Sequence, residues 1–535
     1  MTWGQKRFSA LVLLGWLAAC GDGGDGGAGG PPGDGGEPGP STPPPPELAF
    51  VPAQLVETYG VGASVDLGVK ATLNVPLSGD IHAIIVDAAG VLLPEVAIEP
   101  DRAWAGSYFA NFRTKPSLPL GRHQGRLEVH LCQDAGCGTP HPGSPWYLPY
   151  DFQIIPDTNL TPLTRWAQVP DWETFQGNAA HTGYVPVTLD ASRFSPRWRW
   201  TVPEDSGGVS SLTVANGLIY LSSPIRYSTV ARPRVFALRE SDNGKQWQFD
   251  FSAHEINPPA VSGGKVYAAT SGHNTTFMWS FDAATGAQLS KAAFASQWER
   301  YYAPTIEGGV VYTNGGSYGG MYAFGFADGV QRWFQSLPQY DEWTPAVDAK
   351  YAYAYTGSKL SALDKTTGAV AFTLGDTSPG QGGSMFGAPV IGSSGSVVVV
   401  SGGKVLSFNP ASRAKNWSLE GMYSGNPAIA NGVIYVTHIE PYRLEARSEA
   451  TGALLWSWAP VRRDEGALYG SWGQASEVLV TDNLVFVSTS RRVYAIDLAT
   501  HAPVWSYWEP GSLALSANGV LYVQGTNRLG AVNLK

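Results

Sequence analysis

The residues of this 535-residue chain whose types and spacing could do chemistry are few: three cysteines, nine scattered histidines, one G-x-S-x-G match and a series of Asp-Gly turns. Cys20 ends the run Leu17-Ala18-Ala19-Cys20, a setting suited to lipidation of the thiol and a peptidase cut that leaves the cysteine as the new N-terminus. Cys132 and Cys137, in HLCQDAGCGTP, are spaced to close a short hairpin by a disulfide. The alternative, half a metal site with His130 and His141, would need further ligands at the right spacing. His181 stands alone between Ala180 and Thr182, and a single histidine in such company more often holds structure than a metal or a proton. Gly315-Gly316-Ser317-Tyr318-Gly319 fits the nucleophile-elbow pattern, but that motif works at a sharp strand-to-helix turn. Here it falls between two strand-like runs, GVVYTNG and MYAFGF, and reads as a hairpin loop. The sequence holds no Walker A motif, H-E-x-x-H or Cys-x-x-Cys pair.

The elements that must position these residues begin with an address. Residues 1–20 carry Lys6 and Arg7, then an apolar run from Phe8 to Ala19, too short to span a bilayer as a helix and shaped as a lipoprotein signal. Gly21 after the cysteine favours outer-membrane sorting, on the periplasmic face or the cell surface. Residues 21–46 hold Gly, Pro, Asp and Ser with no side chain large enough to drive folding, and form a disordered tether. Loss of Lys6 and Arg7 takes the net charge from −9 to about −11, which argues against a nucleic-acid partner.

Residues 47–156 show about seven short alternating runs separated by Gly/Pro turns, with no helical period, and are expected to form an immunoglobulin-like sandwich. From about residue 237 an eleven-residue frame, small-x-Asp-x-x-x-Gly-x-x-x-Trp, recurs every 36 to 49 residues. Its first and last positions are Ala237 and Trp247, Ser280 and Ser290, Ala323 and Trp333, Ala362 and Phe372, Ser407 and Trp417, Ala446 and Trp456, and Ala495 and Trp505. Each frame follows two short strands, so every unit reads as four antiparallel strands, a propeller blade.

This frame resembles the tryptophan-docking repeat of the pyrroloquinoline quinone (PQQ) propeller superfamily over most of residues 172–535. The resemblance implies that the small residue and the Trp pack neighbouring blades together. An eighth frame starts at Ala531, but Lys535 comes before its Trp. Ser195-Pro196-Arg197-Trp198-Arg199-Trp200 is a strand without a partner of its own, and it completes an eight-bladed propeller by pairing with the C-terminal strands. Alternation puts Trp198 and Trp200 on one face and leaves open which of them docks. Ser290 and Phe372 depart from the pattern, so looser packing is expected at those two junctions. The chain is thus all-β, an eight-bladed propeller with a smaller N-terminal sandwich.

Quinoprotein dehydrogenases, which this repeat resembles, need calcium, a carboxylate base and a vicinal disulfide over the quinone. The chain has no adjacent cysteine pair, so no cofactor, no metal and no catalysis are expected. The connections between blades carry aromatic and charged clusters: Trp298-Glu299-Arg300-Tyr301-Tyr302, Tyr340-Asp341-Glu342-Trp343, and Tyr423, Tyr469 and Trp472. Such residues anchor protein or glycan partners, or plug the channel. The architecture and address resemble the lipid-anchored BamB-like propellers of outer-membrane barrel assembly. That implies a monomeric, non-catalytic scaffold for a protein partner, with a surface-displayed glycan- or protein-binding module as the alternative.

Overall fold

Runs of alternating apolar and polar residues, interrupted by Gly, Pro and Asn, make strands along the whole described chain, and a single 3-10 turn at Ala191–Arg193 is the one helical element among the described residues. The computed structural model describes residues 46–77, 79–101, 106–223, 232–272, 275–296, 303–338, 342–376, 386–460 and 478–535. Cys20 and the tether up to residue 45 lie outside them. The chain divides into two compact units, Met1–Ile155 and Pro156–Lys535.

The first unit holds eight strands: β1 (Leu48–Val51), β2 (Leu55–Gly60), β3 (Asp66–Leu73), β4 (His82–Val86), β5 (Ala97–Pro100), β6 (Ser107–Arg113), β7 (Gly121–Cys132) and β8 (Trp146–Ile155). They form two sheets, β1-β3-β6-β5 and β2-β8-β7-β4. The opening stretch is thus split between the two sheets, β1 pairing antiparallel with β3 and β2 running parallel to β8. Inward side chains of both sheets, among them Leu67, Leu127, Leu148 and Phe152, are buried between them. Cys132 and Cys137 are bonded as a disulfide. The turn they close is wound around Asp134, whose carboxylate accepts the N–H groups of Gly136 and Gly138 at 3.0 Å and of Thr139 at 2.8 Å.

The described residues of the second unit form eight sheets in succession, each built on a four-stranded antiparallel meander. The first blade is Thr213–Ala215, Leu218–Ser223, Arg234–Arg239 and Lys245–Asp250. The last is Ser512–Leu515, Val520–Gln524 and Arg528–Asn533, completed by β9 (Ser195–Thr201) from the start of the unit. The first strands of consecutive blades adjoin one another and so lie innermost.

Local geometry explains the fixed spacing of the frame. In every blade the register slips immediately after the small residue, at Ala237, Ser280, Ala323, Ala362, Ser407, Ala446, Ala495 and Ala531. The slip leaves unpaired the outer-strand residue just before the docking position, Gln246 in the first sheet and Arg197 in the last, where no turn joins the two strands. The turn within each of the seven continuous frames is set by a residue of positive φ at the seventh position: Asn243, Gly286, Gly329, Gly368, Arg413, Gly452 and His501 all have φ between 53° and 74°. The third-position Asp builds that turn, as Asp364 does by accepting the N–H groups of Thr366 and Thr367.

The Trp at the end of the frame reaches into the next blade. Trp247, Trp333 and Trp417 donate their indole N–H to the carbonyls of Ala283, Lys365 and Glu449, at 2.9 to 3.0 Å. Each acceptor is the fourth residue of the following frame. Trp198 makes the same bond to Glu240 at 3.1 Å and pairs with Ala531, so Trp198 is the docking residue of the composite blade. Trp200 packs edge-on against Phe236 instead. A Cβ on Gly286 or Gly368 would come within 2.6 Å of the Trp ring before it. At two of the frames whose seventh residue is not glycine, its side chain faces the ring: His501 stacks on Trp456 at 4.5 Å, and Arg413 lies 5.3 Å from the centroid of Phe372. Phe372 therefore keeps a stacked partner despite departing from Trp. Ser290 bonds hydroxyl to hydroxyl with Ser280 at 2.5 Å. Trp505 meets Phe194 edge-on at 5.3 Å, since the eighth frame ends before its seventh position.

Ring closure is reinforced by a buried arginine. Arg197 donates to the carbonyls of Glu240 and Ser241 in the first blade, to Asn533 in the last strand, and to Thr161 in the segment ahead of the ring. That segment does not hang free. Asn159 bonds Arg197, and Trp166 bonds Ala517.

Candidate functional site

The centre of the ring is occupied by the chain itself. Residues 172–187, WETFQGNAAHTGYVPV, precede the first blade and run from one innermost strand to the next. Trp172 exchanges both backbone hydrogen bonds with Val214 of the first blade. Val261 of the second donates to Glu173, and the hydroxyl of Thr174 donates to Pro304 before the third. Val347, Ile391, Ile429 and Val480, in the fourth to seventh blades, donate to Ala179, Ala180, Thr182 and Gly183 at 2.8 to 2.9 Å. Small residues permit this close approach: a Cβ on Gly183 would meet the Val478 carbonyl at 2.8 Å.

His181 is the most enclosed polar group of this strap, at 0% exposure. Its Nδ1 lies 2.5 Å from the Phe175 carbonyl, and its Nε2 lies 3.0 Å from both the Thr305 hydroxyl and the Pro345 carbonyl. Burial pushes its pKa down to about 4, outweighing the two carbonyl contacts that favour the charged form. It is thus neutral at pH 7 and serves as a hydrogen-bonding hub between the strap and two blades. Gln176 donates to the Pro427 carbonyl, and its Oε1 has no protein partner. Trp172, Phe175 and Gln176 line a small cavity of about 10 Å³ together with Ser512 and Gln524, room for about one water.

The aromatic connections divide. Trp298, Glu299, Arg300, Tyr301, Tyr302, Tyr340, Asp341, Tyr469 and Trp472 lie outside the described residues. Trp343, expected as a partner anchor, is instead 1% exposed and packs with Trp333, Leu337 and Val347 between the third and fourth blades. Glu342 beside it is buried too. Both are corrected from surface anchors to interior residues, because Thr344 and Gly387 bond this connection to the next one and fold it inward. Tyr423 is likewise buried. Its hydroxyl donates to Glu445, a carboxylate that Arg443 and Arg447 also hold at 2.5 and 2.6 Å. Burial alone would raise the Glu445 pKa, but these partners hold it below the ordinary carboxylate range.

The G-x-S-x-G stretch is a hairpin loop, closed by the Gly315 N–H to the Gly320 carbonyl. Tyr318 projects from it at 76% exposure. Among the described residues no group of three or more His, Cys, Asp or Glu is placed to hold a metal. Sequence reasoning passed over the strap as chemically silent. Its signal was present in the clustered small residues Gly177, Ala179, Ala180 and Gly183, interleaved with the hydrogen-bonding side chains of Gln176, Asn178, His181 and Thr182.

A family profile of PQQ-type repeats, described as outer membrane protein assembly factor BamB, matches residues 181–301, 231–458 and 280–507. Among solved structures, BamB from Moraxella catarrhalis is similar at 15% identity with a TM-score of 0.50, over 64% of this chain and 98% of that one. Apo AztD from Citrobacter koseri aligns at 10% identity and a TM-score of 0.38, over 61% of this chain and 89% of that one. No curated protein matches the chain by sequence. The eight docked sheets, the recurring frame and a profile match running from residue 181 to 507 lead to one statement of kinship: the chain belongs to the BamB family of PQQ-type repeat propellers.

Proposed function

We propose that the protein is a non-catalytic envelope lipoprotein whose ring is a scaffold for a protein partner in outer-membrane protein assembly. The observation that carries this reading is the family match across the ring, described by that assembly role. Further support comes from the ring's centre, where Trp172, Phe175, Gln176 and His181 are buried against the inner strands. The cysteines offer no vicinal pair for a quinone site, since Cys132 and Cys137 are bonded to each other in the sandwich.

With Trp343 and Tyr423 interior, the binding face is assigned to other residues. In a meander the connections between second and third strands and those between blades emerge on one side of the ring. Tyr318, Phe386 and Met422 sit in such connections at 76%, 57% and 45% exposure. Exposed aromatics and methionine are suited to anchoring a protein partner.

Affinity capture from detergent-solubilised envelope is the test. Outer-membrane assembly subunits should be recovered with the wild type, and at least tenfold less with Tyr318→Ser, Phe386→Ser and Met422→Ser combined, at unchanged melting temperature. Stoichiometric quinone binding with dye-linked alcohol oxidation would overturn the reading, as would recovery of extracellular glycans alone. The anchor is tested separately by palmitate labelling, which Cys20→Ala should abolish together with outer-membrane fractionation.

A further inference from the structure

We propose that the N-terminal sandwich binds a single alkyl chain, in a slot between its two sheets. Half of the sandwich core is closed. Around β2, β3 and β8 the inward residues Leu55, Tyr59, Leu67, Leu148, Phe152 and Ile154 are all buried. The other half is open: every residue of β4 is only partly buried, and β5 is mostly exposed. β4 and β5 are each one of the two edge strands of their sheets. A sandwich ordinarily shuts its inward apolar side chains away along all its strands. Here Ile81, Ala83, Ile85 and Ile98 face inward and remain within reach of solvent.

Between these edges lies a cavity of about 60 Å³. That is several times the roughly 10–15 Å³ a cavity needs to admit one water, so it has room for a guest of a few heavy atoms. Its walls are hydrocarbon from Leu, Ile, Val, Ala, Phe and Pro, with Tyr108 the one lining residue that carries a polar side-chain atom. An apolar cavity of this kind stays dry and takes apolar guests. A guest inserted there finds no charge to pair with and almost nothing to hydrogen-bond, so the inserted part is hydrocarbon and any polar head stays at the mouth between β4 and β5. Two sheets packed face to face are about 10 Å apart, a gap that interdigitating side chains ordinarily fill, so the space is narrow and lies where the lining is small, at Ala71, Ala83 and Ala110. An alkyl chain fits that slot; a bulky ring system does not. The chain can come from a free fatty acid or from a membrane lipid.

The test uses the full chain and displacement of the straight-chain fluorescent fatty acid cis-parinaric acid by straight-chain carboxylates from butanoate to dodecanoate. Affinity should rise about fourfold per added carbon, following the transfer of one methylene, and level off once the chain is longer than the slot. Ala83→Phe and Ala110→Phe, which fill the slot from opposite sheets, should each weaken decanoate binding at least tenfold. Ala110→Leu should weaken it less, and thermal melting reports whether each variant is folded. Competition by phosphatidylethanolamine vesicles would identify a membrane lipid as the source, and competition by free decanoate alone a fatty acid. Four results would overturn the proposal: no saturable binding, affinity that climbs without a plateau, binding unchanged in folded Ala83→Phe and Ala110→Leu, or displacement by N-acetyltryptophanamide but not by decanoate.

Discussion

The ring and the sandwich solve the same problem, unpaired sheet edges and a core to be filled, in different ways. The ring joins its two chain ends in one sheet, docks each blade on the next through a repeated frame and threads its centre with residues 172–187. The sandwich leaves four edge strands, keeps an open slot in its core and relies on a disulfide to fix one turn. Repetition lets one local solution be reused eight times, so a weak copy such as Ser290 is carried by its neighbours. A sandwich has a single core and no such redundancy.

The largest effect that would break this contrast comes from removing residues 195–202. The last sheet would then hold three strands with an exposed edge, and size-exclusion chromatography should show aggregate in place of monomer. A soluble monomer with unaltered melting would mean that β9 does not close the ring.

Trp198→Ala is the sharper version. Loss of a buried indole and its bond to Glu240 should cost about 3–5 kcal/mol in urea unfolding. Trp200→Ala, at a half-buried site, should cost clearly less. Equal losses would contradict the assignment of the docking residue.

The strap makes ring stability dependent on pH. His181 has a folded pKa of about 4, below the ordinary histidine value near 6.5, so the unfolded chain takes up a proton that the folded ring refuses. Its contribution is fully present above pH 6.5 and is lost as pH falls toward 4, a change of about 3 kcal/mol. Urea midpoints between pH 7 and 4.5 should fall more steeply for the wild type than for His181→Gln. Parallel profiles would remove His181 from the account.

In the sandwich, reduction of Cys132–Cys137 should cost about 2 kcal/mol by the loop-entropy relation and leave the melting of the ring unchanged. A shift in the ring transition on reduction would break the independence of the two units. The smallest effect is expected at Arg413→Ala, which removes one cation–ring contact with Phe372 and should cost about 0.5–1 kcal/mol. No measurable loss there would show that a junction without Trp needs no substitute partner.

The sequence by itself determined whatever depends on neighbours along the chain. The frame from Ala495 to Trp505 is fixed because a bulge, an Asp turn and a positive-φ residue must follow at set intervals within one hairpin, and that chemistry is local. The pairing of Cys132 with Cys137 and the hairpin at Gly315–Gly319 were legible for the same reason. The lone β9 strand could be matched to the unfinished frame at Ala531 by counting. Depth was not legible. Trp198 and Trp200 alternate to the same face, and only the position of Glu240 in the next blade decides that Trp198 docks. Trp343 and Tyr423 have the composition of surface anchors, yet Trp343 is enclosed where Gly387 of the next connection bonds Glu342 and Thr344, and Tyr423 where Glu445 and Arg447 of its own sheet take its hydroxyl. The strap at 172–187 has no internal period at all. Its conformation is set by hydrogen bonds to blades up to about 300 residues away, so its role as the filling of the ring exists only in the tertiary structure.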